Sequence, residues 1–102
     1  MNIIKQGQTN VTDWKENVIG GGGIYVEIDT SFAEFNDTPH YIATLEGNTH
    51  HWDASGINAI YNSSKNRFRI YLKWIYKQEE ELTVAKAIEY GWYVKWTGII
   101  TE

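Results

Sequence analysis

The sequence predicts an all-β chain, a six- or seven-stranded antiparallel β-sandwich with one short helix near the C-terminus, and a single domain over residues 1–102. Three observations carry that prediction. Residues 67–76, Arg-Phe-Arg-Ile-Tyr-Leu-Lys-Trp-Ile-Tyr, alternate apolar and polar side chains, and a period of two is the mark of a strand with one buried face. Turn-forming residues recur at short intervals along the chain, as in antiparallel sandwiches. Only residues 83–90 depart from the period of two, and there the spacing becomes helical.

Taken in order, Ile4 to Thr9 alternates weakly and predicts an edge strand, with Gly7 allowing a bulge or a close backbone approach. Asn10 to Asp13 is a turn, because Asn and Asp side chains bond locally to the backbone. Trp14 follows as the first large core anchor. Gly20-Gly21-Gly22-Gly23 is a flexible connector; a phosphate-binding loop would continue into Lys-Ser/Thr and a helix, and neither follows. Ile24, Val26 and Ile28 then point inward from a strand ending at Asp29, with Tyr25, Glu27 and Asp29 outward.

Thr30-Ser31 turns the chain, and Phe32 and Phe35 read as plugs for one end of the core. Asn36 to Pro39 is a strong turn signal, with Thr38 forced into an extended conformation by the proline after it. His40 to Leu45 is a strand with Tyr41, Ala43 and Leu45 on one face. A short strand is expected over Ile57 to Tyr61, joined by a polar loop to the long 67–76 strand as its hairpin-like neighbour. Glu79-Glu80-Glu81 reads as a solvated loop. Thr83 is a natural N-cap, Val84, Ala87 and Ile88 share a helical face, and Gly91 stops the helix. Trp92 to Ile100 closes the chain as a strand.

Composition narrows the function classes. A chain of 102 residues with no cysteine must fold on its apolar core alone, without disulfides or thiolate chemistry. Nine Lys/Arg against thirteen Asp/Glu give a net charge of -4, and the basic stripe of a nucleic-acid binder is missing. No apolar run reaches the roughly 18 residues of a membrane span, and the first residues lack the apolar core of a secretory signal. A secreted chain without its signal, or a domain cut from a longer one, reads the same way. Five Trp and seven Tyr supply broad stacking surfaces.

The order of features resembles the H-type lectin domain, of the snail-agglutinin and discoidin type. Gly7 with the following Trp14 resembles that family's opening, and Phe35 to Pro39 its turn before a strand. Ser63 to Phe68 resembles its entry to the long strand, and Trp96 to Glu102 its close. An immunoglobulin domain is a poorer match, since the Cys–Trp–Cys framework is absent. The resemblance implies a homotrimer or hexamer that binds galactose-type sugars in clefts between protomers, in an extracellular or cell-surface setting. It places Trp74 or Tyr76 near the family's stacking aromatic. The family's sugar-binding arginine falls close to Ala59, so that residue is not carried over. Residues 83–90 are an insertion relative to typical members. Similar trimeric sandwiches occur at the tips of phage tail fibres, which keeps a receptor-binding module in play.

A sugar site needs an aromatic plate for the apolar sugar face and planar polar groups to fork-bond hydroxyls. The expected ligand-binding residues are therefore Trp74, Tyr76, Tyr71, Arg69, His51, Trp52 and Asp53, with Trp14, Trp92 and Trp96 assigned to the core. His50 and His51 with Asp53 offer metal-type donors, but adjacent strand residues face opposite ways, so neither a metal nor another cofactor is expected. No pair of carboxylates has a spacing that marks a glycosidase, and no nucleophile motif is present, so the chain is not expected to be an enzyme. Arg67, Arg69 and Lys73 read as a charged face that blunts edge pairing, with an anion site as the alternative. The expected partner is a glycan or glycoprotein, with neither nucleic acid nor membrane insertion. A structural or oligomerisation module, such as the terminal domain of a fibre or toxin, is the competing expectation.

Overall fold

The computed structural model describes residues 2–18, 22–76 and 80–101. Gly20 and Gly21 of the glycine connector, Glu79 of the acidic run and the closing Glu102 lie outside them.

Two antiparallel sheets face each other. The smaller joins β1 (Asn2–Gln8), β8 (Tyr93–Thr101) and β4 (His40–Glu46), in that order. The larger runs β2 (Lys15–Glu16), β3 (Ile24–Asp29), β7 (Arg67–Trp74), β5 (Ala54–Ser55), and β6 (Ile60–Tyr61) also pairs with β7. Five strands are long and three have two residues each, so the sandwich is of the expected class with short strands added around β7. The helix α1 (Val84–Glu89) is the expected one, and the Thr83 hydroxyl accepts the Lys86 N–H at its start.

Alternation decides which side of each sheet becomes core. Ile24, Val26 and Ile28 from β3 meet Phe68, Ile70 and Leu72 from β7, register partners in the order 24–72, 26–70 and 28–68. All six are 0–2% exposed, and burying a side chain of this size contributes about 1.5–3 kcal/mol. From the smaller sheet come Tyr41, Val94 and Trp96, while Trp14, Trp92 and Ala87 fill the end near the helix. The three tryptophans assigned to the core are buried. Two of their indole N–H groups are satisfied, Trp14 donating to the Trp92 carbonyl at 2.9 Å and Trp92 to the Thr49 carbonyl at 2.8 Å, as buried donors require.

The two layers share a buried polar lock. The Tyr41 hydroxyl donates to the Ser64 carbonyl at 2.6 Å, which leaves the Thr30 hydroxyl to donate to Tyr41 at 2.7 Å. Burial pushes the Tyr41 hydroxyl pKa up from its ordinary value, against a smaller lowering by the Thr30 bond.

Three expectations are corrected. Phe32 is 65% exposed, because the 3-10 turn Ser31–Ala33 directs Ala33 and then Phe35 into the core. The strand expected over Ile57 to Tyr61 shrinks to Ile60–Tyr61, since residues 57 and 58 form a turn. β7 is no edge. It is flanked by β3 on one side and by β5 and β6 on the other, so its cations have a role other than guarding a free edge.

Candidate functional site

The outer face of the larger sheet collects aromatic and charged residues that the sequence spreads over three strands, β3, β6 and β7. Register puts Tyr25 opposite Tyr71, Glu27 opposite Arg69, and Tyr61 opposite Arg69 from the other side. Because cross-strand partners point the same way, the outward set forms one patch. The Tyr25 and Tyr71 rings lie 5.5 Å apart, and Tyr61 stands edge-on to Tyr71 at 5.3 Å and 88°.

Arg69 is clamped at the centre. Its guanidinium lies 4.8 Å above the Tyr25 ring, Nη1–H donates to the Tyr71 hydroxyl at 3.1 Å, and Nε–H donates to Glu27. The hydroxyl of Tyr71 and then the carboxylate of Glu27 raise the Arg69 pKa above its ordinary value. Arg67 reaches the other Glu27 oxygen at 3.6 Å. The two arginines thus share one carboxylate, which fixes the tyrosine rings and occupies Glu27. Lys73, the third cation of the face, makes no ion pair among the described residues.

Beside this clamp lies a depression of about 210 Å³ between Tyr61, Tyr71, Ser55, Asn17 and Lys73, with Ala59 on its rim. Gly22 and Gly56 are among its lining residues, and the loops that carry them pack closely on β7. At Gly56, with φ of +117°, an added Cβ would sit 2.0 Å from the Tyr71 carbonyl oxygen; at Gly23, with φ of +84°, it would sit 2.2 Å from that of Leu72. Only glycine lets these two loops press onto β7. The Asn17 amide N–H donates to the Gly22 carbonyl at 2.9 Å, which turns its amide toward the same rim.

The remaining sequence-predicted residues gather elsewhere, at the end of β7. His51, Trp52 and Asp53 form a 3-10 turn, entered through His50 at φ of +68°, and the Asp53 carbonyl accepts the Ile75 N–H at 2.8 Å. That bond brings Trp52, 85% exposed, beside the backbone carrying Ile75 and Tyr76, which are 51% and 76% exposed. Trp74 instead turns inward, edge-on to Trp92 at 5.8 Å, and its indole N–H is buried without a partner among the described residues, as is Nδ1 of His51. His50 stacks on Tyr90 at 4.2 Å. The two histidines are engaged in different packing, and among the described residues no three metal-type side chains converge.

The seven predicted residues therefore split, Arg69 with Tyr71 in one patch and Trp74, Tyr76, His51, Trp52 and Asp53 at the other. Tyr25, Tyr61 and Glu27 were not among them. The outward parity of Tyr25 and Glu27 was legible, and the hairpin-like pairing of β6 with β7 was the one signal for Tyr61; the pairing of β3 with β7 had no local signal.

Comparison of the chain with family models, curated proteins and solved structures finds no match.

Proposed function

We propose that the chain is a non-catalytic module that binds a glycan or glycoprotein at the Tyr61–Tyr71 depression. The observation that supports this most is the corner of two tyrosine rings at 88°, open beside the hydroxyl of Ser55, the amide of Asn17 and the ammonium of Lys73. One ring stacks on the apolar face of a pyranose, and the polar rim bonds its hydroxyls. The volume is below the roughly 300–1,000 Å³ that encloses a drug-sized ligand, which suits one sugar ring held shallowly. Binding through such a site is weak, and an assembly of several copies strengthens it without new contacts. The resemblance to H-type lectins favours a homo-oligomer for the same reason. Engagement of Glu27 by two arginines supports a binding role, because a clamped carboxylate is a poor general acid or base.

An array of neutral and acidic glycans tests the reading. Binding that is lost in Tyr71→Ala, with folding retained, supports it. A uniformly blank array overturns it in favour of a protein-interaction module, the reading that the exposed tip of Trp52, Ile75 and Tyr76 favours.

A further inference from the structure

We infer that β4 is a self-pairing edge, through which two copies of this chain join their smaller sheets about a twofold axis at Ala43. This concerns assembly and not the sugar site, so binding by a monomer would leave the ligand reading intact.

β4 leaves main-chain groups open along its outer edge. Thr9 N–H donates to the Val94 carbonyl, so Val94 points its main-chain groups at β1. Those of Lys95, Thr97 and Ile99 then point at β4, because direction alternates along a strand. Their partners Thr44, Ile42 and His40 are consumed by that ladder. Tyr41, Ala43 and Leu45 must therefore direct their N–H and C=O outward, and among the described residues no hydrogen bond closes them.

The other sheet edges are short or guarded. β2, β5 and β6 have two residues each. On β1, Lys5 shares the core-facing side with Ile3 and Gly7, opposite Gly98, and is exposed; an inward-pointing charge on an edge strand discourages a second chain. β4 has seven residues and no charge on its core-facing side.

The β4 edge is also self-complementary. An antiparallel pair centred on Ala43 sets Tyr41 against Leu45 of the partner, Ile42 against Thr44, and His40 against Glu46. All three outward-bonding residues then fall in hydrogen-bonded positions, as a twofold interface needs. Ala43, the smallest side chain of the strand, sits at the axis. Ile42, 50% exposed in one chain, lies beside the Thr44 methyl. The His40 ring faces the Glu46 carboxylate, to which a ring N–H can donate.

Sedimentation equilibrium on the whole chain is the test, with circular dichroism to check folding. The wild type is expected to be dimeric at micromolar to submillimolar concentration. Ala43→Pro keeps the ladder to β8, since the lost N–H faces outward, and is expected to be monomeric. His40→Asp places two carboxylates across both symmetry-related pairs, and is expected to raise the dimer dissociation constant about tenfold, whereas Glu46→Arg alone only removes the carboxylate that faces His40. The double variant restores opposite charges and the dimer. A monomeric wild type overturns the inference, as does a folded Ala43→Pro that stays dimeric. If Ala43→Pro fails to fold, the charge pair decides, and absence of rescue in the double variant overturns the inference.

Discussion

Tyr41→Phe removes one oxygen from the middle of the sandwich and isolates what that oxygen holds. The Tyr41 hydroxyl accepts a hydrogen bond from the hydroxyl of Thr30, which is 0% exposed, and donates one to the Ser64 carbonyl. Without it the Thr30 hydroxyl keeps only a long 3.4 Å contact to the Lys65 carbonyl. Leaving a buried polar group unpaired costs about 1–3 kcal/mol. Ring packing on Phe68, 4.3 Å between centroids, is unchanged, so the loss is that of the hydrogen bonds. A loss of about 2 kcal/mol lowers Tm by roughly 8–16 °C in a domain of this size. Thr30→Val is expected to cost a similar amount, and the double variant less than the sum, because removing both partners spares the unpaired group. Burial raises the Tyr41 pKa in the native state, so the unfolded chain releases that proton first. Its stabilisation is full below the ordinary value of 10.0 and declines as pH rises past it toward the raised native value. Denaturant titration of the three variants at neutral and alkaline pH measures both effects. A Tyr41→Phe protein as stable as the wild type, with the same alkaline decline, would refute the lock between the layers.

Other substitutions separate scaffold from surface. Gly56→Ala forces a Cβ against the Tyr71 carbonyl at positive φ; the loop must lift from β7, and both stability in denaturant and ligand binding are expected to fall. Trp52→Ala at the 85% exposed tip is expected to change stability by no more than about 0.5 kcal/mol, whereas Trp92→Ala, at 0% exposure, is expected to cost about 3–5 kcal/mol. Thermal melts of the pair check the assignment.

Much of the fold was legible because period and burial coincide. Phe68, Ile70 and Leu72 alternate in sequence and are all buried, and Thr83 marked the start of the helix because its hydroxyl caps it. Phe32 misled because residue type alone carries no direction: within a 3-10 turn one position faces water while Ala33 faces the core. The purpose of Arg67 and Arg69 was illegible for another reason. Whether β7 is an edge depends on β3, whose register partners are some forty residues away, as with Glu27 and Arg69. The site split for the same reason. Trp74 and Tyr71 are three residues apart on one strand, yet odd and even positions face opposite sides, and Trp74 was drawn onto Trp92 while Tyr71 met Tyr25 and Tyr61.

The central claim is that the Tyr61–Tyr71 depression holds a sugar ring, and amide chemical-shift mapping tests it most directly. Titration with the strongest ligand from the glycan array is expected to move the resonances of Ser55, Tyr61, Tyr71 and Lys73, which line that depression. Shifts confined to Trp52, Ile75 and Tyr76, or none at all, would contradict it.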